Sequence, residues 1–442
     1  MTVNKQDISK LKNKLNFINS YNFKDTDKIY KKENVEDLAR NINELKGKNK
    51  SFYYPLSINT WDNKEYEAIN KVIMSQNFTM GEKVREFEKQ FAEHVHSKYA
   101  VMVNSGSSAN LLMIASLVLD KDIDLNEGDE VIVPTLSWAT TYYPLQQYKL
   151  KAKFVDININ TLNIDEEAII SSITPKTKAL FAVNVLGNPC NYKILKEICK
   201  RYNMLLIEDN CESLGAIFKK KQCGTFGITG SFSFYFSHHI HTIEGGMVVT
   251  NNESTYHHLL SLRAHGWIRD LPENNKIYKK KGDGFEDCFV FVLPGYNLRP
   301  NEINGSIGIE QLKKINNIVY QRRKNANHFK SLFDDNENIK LQQEIGDSSW
   351  FGFSIILDGK LKNRRSEVLR VLKKNSIETR PIISGNFLKY PVIKFLNHEV
   401  MGSIKNSKEI DKNGFFIGNN HIDMKRELEY FKYVMLNEFK IK

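Results

Sequence analysis

From Tyr53 onward the chain alternates two rhythms. Short unbroken apolar runs recur at YAVMV (99–103), DEVIVP (129–134), AKFVDI (152–157), ALFAVNVLG (179–187) and MLLIED (204–209). Between them, in SSANLLMIASLVLD, ATTYYPLQQYK, EEAIISSI and NYKILKEICKRYN, apolar positions fall at helical spacing. A continuously apolar strand is buried on both faces, and intervening helices make successive strands parallel. The expectation is an α/β chain whose βαβ units build one sheet. Ligands in such sheets sit beyond the carboxyl ends of the strands. The polar segments that follow each run are therefore where chemistry is expected.

Past residue 312 the rhythm changes. QLKKINNIVYQRRKNANHFKSLFDD reads as one long polar helix, WFGFSIIL (350–357) as a strand and SEVLRVLKKN as a helix. The expected organisation is an N-terminal extension over 1–52, a large cofactor-binding domain over 53–312 and a smaller α+β domain over 313–442. The extension is polar, with weakly helical stretches LKNKLNFI and VEDLARNINEL.

Composition narrows the class. At 442 residues and 41% hydrophobic content, the chain is long enough for two or three domains with a substantial core. No apolar run is long enough to span a bilayer, and the N-terminus has no secretory apolar segment. A cytoplasmic protein without membrane contact is expected. The five cysteines, at 190, 199, 211, 223 and 288, form no C-x-x-C or C-x-C pair. Reduced thiols are expected, with neither a disulfide framework nor an iron–sulfur cluster. The net charge of +11 comes from lysines scattered along the whole chain. Scatter of this kind fits compositional bias, with some attraction for anionic small molecules, better than a nucleic-acid surface.

Four polar segments lie at strand ends. NSGSSANLL (104–112) opens a helix, and its small residues leave backbone N–H groups free for an anion. Gly106, Ser107 and Ser108 suit a phosphate, although the same pattern serves a plain helix cap. PTLSWATTYY (134–143) puts Trp138 where an indole either stacks on a planar ring or packs in the core. In LLIEDNCESLGA (205–216), Asp209 can pair with a pyridine nitrogen or cap a helix. SFSFYFSHHIHTIEGGMVVTNN (231–252) reads as strand, loop, turn and strand. It offers the hydroxyls of Ser233 and Ser237, the pair His238-His239 and a tight turn at Glu244-Gly245-Gly246. His239 and His241 read as structural or pocket-lining. A metal site at His238, His241 and Glu244 has helical spacing, but the Gly-Gly turn argues for a loop, and no metal is expected. His257-His258 reads as part of a surface helix.

Each segment is modest alone, but their order along the chain is specific. Over roughly residues 53–440 the chain resembles the DegT/DnrJ/EryC1/StrS family of nucleotide-sugar aminotransferases. The family's phosphate loop is similar to SGSSAN, its acidic motif to IEDNCESLGA, and the close of its large domain to GYNLRPNEINGSIGIEQL (295–312). The resemblance implies an α/β, fold-type I pyridoxal-phosphate-dependent transferase, similar to aspartate aminotransferase. It would have a large mixed-sheet domain and a smaller C-terminal α+β domain.

One residue departs from that pattern. The family's loop reads SFSF-x-x-x-K-x-x-x-x-x-E-G-G, and here the lysine position holds His238. No lysine occurs from Gln222 to Asn275, and the nearest are Lys221 and Lys276. A lysine amine forms a covalent imine with the cofactor; an imidazole cannot, but it does move protons near neutral pH. SHHIHTIEGGM resembles the family's 3-dehydratase branch, which uses pyridoxamine phosphate to remove a hydroxyl from nucleotide-linked 4-keto-6-deoxyhexoses. One subgroup takes CDP-linked sugars and carries an iron–sulfur cluster held partly by two cysteines one residue apart, a pair missing here. The other takes a GDP-linked sugar, on the way to colitose, and regenerates pyridoxamine phosphate from L-glutamate. Trp138, Glu212 and RPIISGNF (380–387) resemble the second.

The resemblance also implies roles. His238 is the base, Asp209 pairs with the ring nitrogen and Trp138 stacks on the ring. Gly106, Ser107, Ser108 and Ser233 hold the phosphate, Asn297 reaches the phosphate of a neighbouring subunit, and Glu212 lies beside the ring. His265, Arg269, Arg380, Ser384 and Asn386 face the substrate. Active sites shared across a homodimer are implied. Two other readings stay open at this point: an aminotransferase that manages without the lysine, and a non-catalytic relative that binds a nucleotide sugar.

Overall fold

The computed structural model describes residues 53–441, so the expected extension over 1–52 lies outside the described residues. Helices α1 (Asn63–Ser75) and α2 (Glu82–Val95) precede β1 (Tyr99–Val103). Then come α3 (Gly106–Leu119), β2 (Glu130–Pro134), α4 (Ala139–Gln147), β3 (Lys151–Val155), α5 (Glu166–Ser172), β4 (Thr177–Val183), α6 (Tyr192–Arg201) and β5 (Leu205–Asp209). A small hairpin, β6 (Ile217–Phe218) and β7 (Lys221–Gln222), leads to β8 (Thr229–Ser233), β9 (Gly246–Thr250), α7 (Glu253–Arg263) and α8 (Glu302–Leu312). The remainder holds α9 (Ile315–Phe333), β10 (Ile339–Leu341), β11 (Gly352–Leu357), α10 (Arg365–Lys374), β12 (Thr379–Arg380), β13 (His398–Val400), α11 (Lys405–Asn413), β14 (Gly414–Gly418) and α12 (Lys425–Phe439).

The alternation of apolar runs and helices does produce βαβ units. Eight strands join in the order β1-β9-β8-β5-β4-β2-β3-β13, and β9 alone runs against its neighbours. The sheet is therefore mixed. The loop that joins β8 to β9, residues 234–245, holds no helix to carry the chain across the sheet, and the chain reverses. The eighth strand comes from beyond residue 312, where β13 pairs in parallel with β3. A second, antiparallel sheet takes the order β10-β11-β14-β12.

Burial follows the sequence pattern. In α3, every residue from Ala109 to Leu117 is buried except Leu111, because the helix is apolar on nearly all sides and lies against the sheet. In α6, Leu195, Ile198 and Cys199 are buried while Lys193, Lys196 and Lys200 face solvent, as an amphipathic surface helix requires. One charged pair is sealed between β2 and β3: Lys153 Nζ lies 3.0 Å from Glu130 Oε2 and donates to Ser172 O. The hydroxyls of Thr174 and Thr177 complete the carboxylate's shell.

Two expectations need correction. The run at 179–187 is a strand only to Val183. At Asn184 the side chain accepts the Cys190 N–H at 2.7 Å and donates to Tyr192 and Asn210, which turns the chain into a short 3₁₀ segment, Val185–Gly187. His257 and His258 do lie on a helix, α7, but both are buried: His258 Nδ1 donates to Ser254 O, and His257 Nδ1 accepts the Lys276 N–H.

Candidate active site

Strand register assembles the site. Asp209, the last residue of β5, stands beside Val183 of β4 and Ser231 of β8. Gly246 opens β9 between Val103 and Ser233. Backbone crowds this spot: a Cβ on Gly246 would lie 2.3 Å from Ser105 O, and one on Gly106 would lie 2.6 Å from Ser233 Cβ. The strand ends, the start of α3 and the loop after β8 thus converge on a cavity of about 330 Å³, within the size range of small-ligand sites.

The cavity floor is a fixed carboxylate. Asp209 is buried, and its Oδ2 accepts from Asn110 Nδ2 (2.9 Å) and Thr141 Oγ1 (2.8 Å) while its Oδ1 accepts the Cys211 N–H (3.1 Å). Asn110 is itself held by Ser231 Oγ at 2.7 Å. At one end, Ser105 caps α3 by accepting the Ser108 N–H, leaving the N–H groups of Gly106 and Ser107 without an acceptor among the described residues. Trp138 stands over the cavity with 58% of its surface exposed.

His238 and Glu212 also line the cavity. The His238 ring lies edge-on to Phe351 and Tyr235, with centroids 5.3 Å and 6.1 Å apart. Its Nδ1 is buried, with no side-chain hydrogen-bond partner among the described residues. Burial, reinforced by the Arg322 guanidinium, pulls its pKa down to about 3, so the imidazole is neutral at working pH. Arg322 is buried and donates to the carbonyls of Phe351 (2.9 Å) and Asn419. Glu212 follows the turn after β5, where its Oε2 accepts the Leu186 N–H at 3.1 Å. Burial pushes its pKa up to about 7, against the pull of that hydrogen bond and with help from the nearby Asp209 charge.

Of the residues expected from sequence, Gly106, Ser107, Trp138, Asp209, Glu212, Ser233, His238 and Arg380 line this one cavity. Six do not. Ser108 donates its hydroxyl to Asn104 Oδ1 at 2.6 Å. Ser384 donates to Ser137 O at 2.5 Å, and Asn386 is buried and caps Leu388 N. His265, Arg269 and Asn297 belong to a separate cluster. There Arg269 stacks 4.0 Å over Trp267, His265 meets the same indole edge-on, and Asn297 Oδ1 accepts from Arg299 Nε. His239 and His241 are structural: His239 Nε2 bonds Ser349 O, and His241 stacks on Trp61. Sequence reasoning missed Asn110, Thr141 and Phe351. Asn110 did leave a signal, as the one amide within the apolar run ANLLMIASLVL.

No lysine is among the lining residues. A family model described as the DegT/DnrJ/EryC1/StrS aminotransferase family matches residues 59–428. The chain belongs to this family. Within the DegT/DnrJ/EryC1/StrS family, it is 52% identical to the GDP-4-keto-6-deoxy-D-mannose 3-dehydratase of Escherichia coli O55:H7 over 384 residues, 86% of this chain and 99% of that one. A solved His-to-Asn mutant of GDP-4-keto-6-deoxymannose-3-dehydratase, with bound GDP-perosamine, superposes with a TM-score of 0.85 at 52% identity, covering 86% of this chain and 100% of that one. Another structure of that dehydratase, with a trapped PLP-glutamate geminal diamine, also gives 0.85 at 52%, with coverage of 86% and 99%. The fold is that of the family's fold-type I, PLP-dependent transferases.

The residues present fit a pyridoxal-type cofactor. Free N–H groups at a helix start, beside the Ser233 hydroxyl, suit a phosphate dianion. A carboxylate pinned by three donors suits a ring nitrogen, and an exposed indole suits a ring face. The close packing at Gly106 and Gly246 leaves the backbone itself to form the cradle.

Proposed function

We propose that this protein is a pyridoxamine-phosphate-dependent 3-dehydratase of a GDP-linked 4-keto-6-deoxy sugar, with GDP-4-keto-6-deoxymannose as substrate. One observation carries the reading: a cavity that fits a pyridoxal-type cofactor and has His238, and no lysine, in the loop after β8. Identity of 52% to dehydratases of that name supports it. The cofactor, when bound, supplies an amine for the sugar ketone and a conjugated sink for electrons.

The protein's own groups do the rest. Asp209, held by Asn110, Thr141 and the Cys211 N–H, keeps a ring nitrogen protonated. The start of α3 and Ser233 anchor the phosphate, and Trp138 covers the ring. His238, neutral and wedged against Phe351, takes a proton from carbon. Since no lysine among the described residues lines the cavity to displace the product, the sugar leaves as a ketone that has lost its C3 oxygen. Glutamate closes the cycle as L-glutamate plus the C3 hydroxyl compound gives 2-oxoglutarate, ammonia and the 3-deoxy compound. Arg380, on the cavity rim, is placed for an anionic part of the substrate. A homodimer brings the cluster of His265, Arg269 and Asn297 to the neighbouring cavity, and the enzyme works in the cytoplasm on the way to a 3,6-dideoxyhexose for lipopolysaccharide.

The test is incubation of purified protein with pyridoxal phosphate, L-glutamate and GDP-4-keto-6-deoxymannose, with the sugar followed by mass spectrometry and proton NMR. Loss of the C3 oxygen with the C4 ketone kept is expected. Gain of an amine at C4 would replace the reading with that of an aminotransferase. Formation of 2-oxoglutarate with the sugar unchanged would mean that the sugar is wrong.

A further inference from the structure

Three carboxyl groups line the cavity, Asp209, Glu212 and Glu244; the first two lie three residues apart, and their surroundings differ. Asp209 accepts three hydrogen bonds, from Asn110, Thr141 and the Cys211 N–H. Glu212 accepts one, from the Leu186 N–H, on Oε2. Among the described residues no group donates to its other oxygen, while the residue lines the cavity. Two carboxylates so close do not both ionise readily, and the proton goes to the one with fewer donors. Glu212 therefore keeps the proton.

We infer that Glu212 is the proton donor of this cavity, the counterpart of His238 as proton acceptor. The inference rests on the dehydratase reading. Both groups are fixed by one stretch of chain. The Phe351 N–H donates to Leu186 O, bracing the turn that holds Glu212, and the Phe351 ring walls His238. The other titratable or charged groups lining the cavity are Asp209, Cys211, Tyr235, Glu244 and Arg380, and none of them donates to Glu212. Behind His238 stands Arg322, committed to backbone carbonyls. The rise of the Glu212 pKa to about 7 agrees with this placement.

The chemistry needs one proton removed and one supplied. A carbon–hydrogen bond opens and its proton goes to His238. The carbon–oxygen bond at C3 breaks with its electron pair on oxygen, which takes the Glu212 proton and departs as water. The pair left by the first bond replaces the pair lost at the second. Glu212, now a carboxylate, regains a proton from solvent.

Glu212→Gln tests this, since the amide oxygen still accepts the Leu186 N–H while the titrating proton is gone. In full-length protein, 2-oxoglutarate formation from glutamate is followed alongside, as the sign that the variant folds and takes up its cofactor. The variant should deoxygenate GDP-4-keto-6-deoxymannose about 10²-fold more slowly below neutral pH. Wild-type deoxygenation should fall as pH rises through 7, and the variant should lose that limb. Infrared difference spectra of cofactor-free protein should show a carboxylic-acid carbonyl band in wild type that appears as pH falls through 7 and is lost in the variant, over and above any band from the buried Glu208. A variant that matches the wild-type rate and pH profile, or a wild type without the band, overturns the inference. Failure of the wild type itself to deoxygenate the sugar would instead overturn the dehydratase reading, and this inference with it.

Discussion

At the scale of single residues, His238 decides what the cavity can do. Burial beside Phe351 and the guanidinium of Arg322 disfavour an imidazolium and outweigh the opposing hydrogen bond with the Tyr235 backbone, so the ring enters the reaction able to take a proton. Replacing it by lysine tests whether position or chemistry matters. His238→Lys is expected to hold pyridoxal phosphate covalently, giving a cofactor-sized mass increase on the intact protein after borohydride reduction. The wild type should show none, and the variant should lose deoxygenation. A variant without the increase would place residue 238 out of reach of the cofactor.

At the scale of elements, the site depends on how closely strands approach. Gly246→Ala puts a methyl 2.3 Å from Ser105 O and 2.8 Å from Gly106 N, atoms of backbone that cannot turn aside. The variant should fold less stably by about 2 kcal/mol and bind pyridoxal phosphate poorly, as read by urea unfolding and by equilibrium dialysis. The sealed pair between β2 and β3 gives a second case. Lys153→Met leaves the buried Glu130 with only the more distant Lys151, 3.5 Å from its Oε1, and should cost about 3 kcal/mol, whereas adding Glu130→Gln should recover most of that. Equal instability of the single and double variants would refute the account. Much at this scale was legible beforehand, because buried strands must be apolar and the polar residues that end them must face a site. Asp209, Ser233 and the start of α3 were found that way. What was not legible depends on distant sequence. Asn110 and Thr141 matter only because β5 ends between them, and Phe351 reaches His238 from over a hundred residues away. The end of β4 was misread because Asn184 acts through its side chain, which apolar periodicity does not register.

For the whole molecule, buried histidines set the response to acid. Burial holds His239 well below its ordinary range, His241 at about 4 and His238 at about 3. All three are neutral in the folded chain, while the unfolded chain binds protons below about pH 6.5. The unfolded state thus gains protons first, and stability falls as pH drops from 6.5 toward 4. A fully buried ring such as His239 contributes about 2 kcal/mol of that loss by pH 5. Thermal unfolding should therefore begin several degrees lower at pH 5 than at pH 7, and His239→Gln should reduce the difference. The strand β13 has a consequence of another kind. It is three residues long, it comes near the end of the chain, and it covers the flank of β3. During synthesis the ribosome releases β3 some 240 residues before its partner emerges, so a nascent chain carries an open strand edge through most of translation. Premature termination upstream of His398 would leave that edge bare for good, a state suited to pairing with other chains and recognisable to chaperones and proteases.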